Sequence, residues 1–245
     1  MSGRTKTYFA SDFHLGSPNQ KESHIREKKI CAWLEQISID AKEIYLLGDL
    51  FDFWFEYKKV IPKGFERLKG KLANLTDSGI IIHLFVGNHD LWTFGYLEAE
   101  LGLKIYKHPC IVSINNKKFY IAHGDGLGKG NTTYKFIKGI YENCICQWLF
   151  KVLPSNLGIS LAQFLSRMNK RKQHDSREKI GEAHLIEYSK NILKTQHIDF
   201  FIYGHIHRPC NVKIGTNSRY INLGDWVNHF SYAELERENL LLKKF

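Results

Sequence analysis

Five short clusters of oxygen and nitrogen donors punctuate the 245-residue chain: Asp12-Phe13-His14, Gly48-Asp49-Leu50-Phe51-Asp52, Gly87-Asn88-His89-Asp90, His123-Gly124-Asp125 and Gly204-His205-Ile206-His207. Among them are two carboxylates (Asp12, Asp49), one amide carbonyl (Asn88) and four imidazoles (His14, His123, His205, His207). A mixed oxygen and nitrogen set suits Mn²⁺, Fe²⁺ or Zn²⁺ better than Mg²⁺ or Ca²⁺, which prefer all-oxygen shells. Seven donors are too many for one ion and fit two ions that share a carboxylate. Two cations about 3.5–4 Å apart clamp the attacking and leaving oxygens of a phosphoryl displacement and acidify a water toward hydroxide. Taken singly, each cluster reads equally well as a turn or a helix cap, the ordinary work of Asp and Asn. Their recurrence in one chain is what points to a site.

The elements that must position them follow from the apolar pattern. Strands are expected over 7–11, 43–47, 80–86 and 199–203, and a hairpin over 110–114 and 117–122. Helices are expected over 21–37, with Ile25, Ile30, Trp33, Leu34 and Ile37 near one face, over 65–78, with Leu68, Leu72 and Leu75 in a stripe, and over 176–194. Two or three antiparallel strands close the chain, around 210–214, 219–222 and 228–235. Each donor cluster therefore follows a strand, and in layered α/β folds ligand sites gather outside the carboxyl ends of strands. Gly48, Gly87, Gly124 and Gly204 stand where a strand must turn sharply or let backbone approach the ions.

Composition bounds the reading. Hydrophobic residues at 43% and charged residues at 24% are globular values, so disorder as the main state is excluded. The formal charge of +10 favours anionic partners (nucleotides, phosphorylated substrates, an anionic membrane face) without choosing among them, and also fits a solvated basic surface. Five cysteines form no paired framework, which suits a reducing cytoplasm; Cys110, Cys144, Cys146 and Cys210 read as packing residues. The first strand starts too early to leave room for a cleavable presequence. No uncharged apolar run reaches the roughly 18 residues of a spanning helix.

In all five clusters the sequence resembles the calcineurin-like metallophosphoesterases, and the resemblance covers essentially the whole chain, 1–245, with 126–175 as an insertion. It implies a four-layer α/β/β/α sandwich of two mixed sheets. It further implies that Asp12, His14, Asp49 and His207 hold one ion. Asp49 bridges to a second, completed by Asn88, His123 and His205. His89 is then a phosphate-contacting acid oriented by Asp90, and Asp52 fixes a ligand imidazole from behind.

The donor clusters set reaction class only; specificity must come from elsewhere, and 126–175 is the distinguishing part. It is dense in apolar and aromatic residues from Tyr134 to Leu165, then basic at Arg167, Lys170, Arg171 and Lys172. It reads either as a helical cap packed on the core or as a lid with an apolar groove and a cationic rim, fit for acyl chains and an anionic membrane surface. Here the chain is similar to a narrower family, the UDP-2,3-diacylglucosamine hydrolases of lipid A biosynthesis. The likeness lies in Gly48-Asp49-Leu50-Phe51-Asp52-Phe53-Trp54, His123-Gly124-Asp125-Gly126-Leu127 and Gln147-Trp148-Leu149-Phe150 followed by Leu153-Pro154. It implies hydrolysis of a nucleotide-linked glycolipid to UMP and 2,3-diacylglucosamine 1-phosphate, usually with manganese. It also implies a cytoplasmic enzyme held peripherally on the inner membrane of a Gram-negative-type bacterium, with no nucleic acid or protein partner. Trp54, Asn131, Arg167 and Arg171 fall near that family's substrate contacts. One departure stands out: the third cluster carries His89 where the best-known members carry arginine. Histidine there can also protonate a leaving oxygen, so a nuclease or cyclic nucleotide phosphodiesterase remains the alternative. A non-catalytic scaffold on the same fold is disfavoured because no ligand position is lost.

Overall fold

The structure, a computed structural model, describes residues 3–130, 132–170 and 175–245, and side chains outside 163–178. The first half is a run of strand–helix units: β1 (Lys6–Ala10), α1 (Gln20–Ile37), β2 (Ala41–Leu46), α2 (Glu66–Asp77), β3 (Ile81–Phe85), α3 (Tyr96–Leu101) and β4 (Lys104–Tyr106). The hairpin β5 (Cys110–Ile114) and β6 (Lys117–Ile121) follows, then α4 (Thr132–Glu142), α5 (Cys144–Val152), α6 (Ser155–Lys170) and α7 (Asp175–Leu193). The chain finishes with β7 (Phe200–Tyr203), β8 (Cys210–Lys213), β9 (Arg219–Asn222), β10 (Ser231–Glu236) and β11 (Asn239–Lys244).

Among the described residues eleven strands make two mixed sheets, in the orders β11-β10-β1-β2-β3-β4 and β5-β6-β7-β9-β8. The layering follows from the two-residue period of a strand. Tyr8 and Ala10 of β1, and Ile44 and Leu46 of β2, face Ile30, Trp33 and Leu34 of α1 and Leu68, Leu72 and Leu75 of α2. Their neighbours Phe9 and Tyr45 face the other way, into an inter-sheet core with Phe119, Ile121, Ile202 and Ile221. On the far side of the second sheet, Tyr120, Phe201, Tyr203 and Tyr220 pack against Leu185 and Ile192 of α7. The result is helix, sheet, sheet, helix, as expected.

Three local expectations need correcting. Ile25 is 61% exposed rather than on the buried stripe of α1. Arg26 takes the inward position instead, because its guanidinium donates to the carbonyls of His14 and Ser17. The closing strands do not form one antiparallel group. β9 runs parallel to β7, whereas β10 crosses to the first sheet and pairs antiparallel with β1. The edge strand β11, which adds to β10, was not expected at all.

Candidate functional site

β1, β2 and β3 are parallel in one sheet, and β6, β7 and β9 in the other. Each sheet thus presents a row of carboxyl ends, and all five donor clusters leave from them. The loops are stitched together: the Asp12 amide donates to Gly48 O at 3.0 Å, His14 to Asp49 O at 2.9 Å and Gly204 to His123 O at 2.9 Å. Gly48 and Gly204 are there for close approach. A Cβ on Gly48 would lie 2.6 Å from Gly87 N, and one on Gly204 would lie 2.5 Å from Asp12 Oδ2.

Asp12, His14 and His207 bring their ligating atoms together, as do Asp49, His123 and His205, and a third overlapping group joins His14, Asp49 and His89. Asp49 Oδ2 is shared, 3.7 Å from His14 Nε2 and 3.4 Å from His123 Nε2. Asn88 Oδ1 reaches the second group, 3.3 Å from His123 Nε2. His123 Nδ1 donates to Leu47 O at 2.6 Å, which turns Nε2 toward the carboxylates. Five of these residues hold left-handed backbone: Asp12 (φ 57°), His14 (45°), Asp49 (54°), His205 (67°) and His207 (58°). That region disfavours L-residues, and such strain collects where function over-determines the geometry.

The electrostatics describe a cation site. Burial pushes the Asp12 and Asp49 carboxyls up, but the surrounding imidazoles outweigh it and hold both well below the usual range. Burial likewise opposes charge on His14 and His123, yet the carboxylates win, raising His14 to about 9 and His123 well above its ordinary value. His205 goes the other way, to about 4, through burial and the nearby His123. Buried Asp12 Oδ1 receives no hydrogen bond. A carboxylate oxygen so placed among imidazoles, with another carboxylate shared between two donor groups, fits divalent metal.

Other expected residues fall differently. Asp90 does not orient His89: its carboxylate accepts from Gly87 N at 2.7 Å and Leu50 N at 2.8 Å, tying the third loop to the second. The His89 ring is held instead by Nδ1–H donating to Asp52 O at 2.7 Å, and burial pushes its pKa down. Trp54 is fully buried, stacked on Phe51 with ring centroids 4.4 Å apart and donating to Glu56, so its indole is core rather than substrate surface. Asn131 and Arg171 lie outside the described residues, as does the side chain of Arg167 on α6. Sequence reasoning missed Asp225, fully buried beside His207. The signal was the same as elsewhere, a Gly-Asp pair just after a strand.

Above the site, α4 is latched to Asp125 by Tyr134 Oη at 2.8 Å and Lys138 Nζ at 2.6 Å. Phe150 of α5 sits among Phe53, Phe55, Tyr57 and Trp92. The outward faces are apolar: Phe136, Ile145, Trp148, Val152 and Leu157 are 62–71% exposed. Among the described residues no helix is long and apolar enough to cross a membrane.

The family described as "Calcineurin-like phosphoesterase" matches residues 5–209. A protein of Porphyromonas gingivalis named UDP-2,3-diacylglucosamine hydrolase is 34% identical, over 98% of this chain and 97% of its own. Proteins of that name from Actinobacillus succinogenes and Vibrio vulnificus are 24% identical over 98% of this chain and 99% of their own, and 28% over 97% and 97%, respectively.

Proposed function

The chain belongs to the calcineurin-like phosphoesterases, metal-dependent hydrolases, and on that premise we propose that it cleaves the diphosphate of UDP-2,3-diacylglucosamine to UMP and 2,3-diacylglucosamine 1-phosphate. The observation that carries the reaction class is the pair of donor groups joined through Asp49. Asp12, His14, Asp49 and His207 would hold one divalent cation; Asp49, Asn88, His123 and His205 would hold a second, manganese being the first choice and iron or zinc suiting the same donors. Bound there, the cations supply Lewis-acid polarisation of a phosphoryl oxygen and a water acidic enough to attack at neutral pH. Asp49, whose Oδ2 lies within reach of both donor groups, would serve both cations. His123 is kept in the Nε2-facing orientation by Leu47 O. His89 has its Nδ1–H committed to Asp52 O, so Nε2 is left for a phosphoryl oxygen. It donates there only when protonated, which the negative charge of an arriving diphosphate favours.

The substrate reading rests on the full-length likeness to hydrolases of that name and on the exposed apolar face of α4–α6. In this reading 126–175 is a lid: the acyl chains lie against it, and its apolar surface rests on the inner face of the cytoplasmic membrane, where the net charge of +10 meets anionic lipid. The test is incubation of purified protein with UDP-2,3-diacylglucosamine, Mn²⁺ and mild detergent, assayed for UMP. Metal-dependent release is expected. No UMP from protein that still cleaves an aryl phosphodiester would retain the metal chemistry and discard the glycolipid.

A further inference from the structure

Asp225 follows β9 in the sequence Gly224-Asp225-Trp226, and its carboxylate is fully buried. Oδ1 accepts two backbone N–H groups, from Asn228 and His229, both at 2.9 Å. Oδ2 accepts from Asn228 Nδ2 at 3.3 Å and faces the site, 3.6 Å from His207 Nδ1. The opposite ring nitrogen, His207 Nε2, lies 3.2 Å from Asp12 Oδ1 and 3.0 Å from His14 Nε2. The next residue locks the geometry, since Trp226 N–H donates to Asp12 O at 3.1 Å.

Capping the 225–229 turn does not by itself call for an anion: an asparagine oxygen accepts the same two N–H groups, and a buried charge is costly unless something answers it. One buried cation at the site answers that charge in part. The buried Arg26 guanidinium feels the charges of both Asp225 and Asp52 while donating to His14 O at 2.8 Å. Asp52 Oδ1 stands 3.8 Å behind His14 Nδ1 as Asp225 Oδ2 stands behind His207 Nδ1. Both imidazoles of the first donor group thus have a carboxylate at their outer nitrogen, the arrangement that fixes ring orientation and raises basicity in metal-bound histidines.

We propose that Asp225 is a positioning residue for the first metal ion, its Oδ2 holding the His207 ring with Nε2 turned to the ligand side. The inference rests on His207 being a ligand, and the test separates the two ideas. Asp225→Asn is the decisive change. The two backbone N–H groups require the amide oxygen at the Oδ1 position, so the NH₂ group is turned toward His207 and cannot accept its proton. The two backbone bonds of the cap survive, while the orienting acceptor and the bond from Asn228 Nδ2 are lost. Mn²⁺ binding to metal-free wild type, D225N, H207A and the double variant would be measured by titration calorimetry, together with melting of the metal-free proteins. The expected result is a melting midpoint for D225N lowered by no more than the loss of the Asn228 side-chain bond, and a roughly 10- to 100-fold weaker Mn²⁺ affinity at one site. D225N should add nothing in the H207A background. If H207A binds like wild type, the ligand reading fails. If H207A weakens binding but D225N does not, or if the two losses simply add, Asp225 is a turn cap only and the proposal is overturned. Should D225N fold poorly, Asp225→Ser, a turn-capping residue with no anion, carries the same expectation.

Discussion

Replacing Phe150 by alanine tests how the α4–α6 segment is seated. Neither α4 nor α5 has a single buried residue, so their attachment depends on a few points. Among the described side chains those points include the Tyr134 and Lys138 contacts to Asp125, the bond from Trp92 Nε1 to Tyr141 O at 2.8 Å, and the Phe150 ring. That ring lies 4.6 Å from Trp92, 4.8 Å from Phe55, 6.2 Å from Phe53 and 6.3 Å from Tyr57. A fully buried Phe→Ala change costs about 3–5 kcal/mol; the half-buried position of Phe150 reduces this to about 2–3 kcal/mol. Because the segment joins the core only locally, the loss falls on a sub-global opening and not on global unfolding. A change of that size raises the opening constant roughly 30- to 150-fold. Limited trypsin digestion reads it directly, since Lys135, Lys138 and Lys151 lie in the segment. Cleavage at these lysines should accelerate by about that factor, the melting midpoint of the core should hold, and Mn²⁺ binding should be unaffected. Unchanged cleavage would refute the anchoring role. A drop in core melting as large as that of a buried leucine change would refute the idea that the segment opens by itself.

Asp49→Ala removes the carboxylate shared between the two donor groups, so turnover and at least part of the bound metal should be lost while circular dichroism stays native; full activity would sink the two-ion assignment. His89→Ala should lower turnover substantially with metal content retained by elemental analysis, because its ring is tied to Asp52 O; loss of metal would make His89 a ligand, as its place in the group with His14 and Asp49 allows. Burial pushes the Cys31 thiol up to about 11 and Cys210 up to about 12, whereas Cys144 is exposed. At pH 8 a thiol at 12 is only ~1 part in 10,000 thiolate, so alkylation mapped by mass spectrometry should find Cys144 first, with Cys210 quickening as pH rises; equal rates at Cys144 and Cys210 would contradict that burial.

What the sequence disclosed and what it hid have different physical origins. The donor clusters were legible because glycine and left-handed Asp or His recur where a strand must end abruptly against another loop, as at Gly48-Asp49 and Gly204-His205. β1, β2 and β3 were legible as short apolar runs because most of each strand is buried on both sides. α3 and β4, six and three residues long, are too short to show a period, and β11 is an edge strand with one buried residue. Ile25 and Arg26 exchanged expected places because two carbonyls at the site needed a donor, which no apolar period records. Asp90 and Asp52 were both visible, but which of them holds the His89 ring depends on a loop contact between Asp52 O and Nδ1 that spacing does not encode. Asp225 carried the right signal and was overlooked because its partner, His207, comes from a neighbouring strand.

The molecule divides its work between parts of unequal rigidity. The candidate ligands hang from the ends of β1, β2, β3, β6 and β7, whose side chains fill three contiguous cores, and their loops bond one another through backbone groups. That frame can sustain five left-handed residues and a packed set of charges, which a loose loop could not. Among the described side chains, the α4–α6 segment touches the frame through few points, among them the Phe150 ring, the bond from Trp92 to Tyr141 O, and one carboxylate, Asp125, itself two residues from His123. Changes on the outward face of the segment should therefore alter which substrates are accepted without disturbing metal binding. Changes at Asp125 should do both, because the same carboxylate latches α4 and lies in the field of His123 and His205. On the proposed function, chemistry and selectivity should be separable over most of the protein and coupled at that residue.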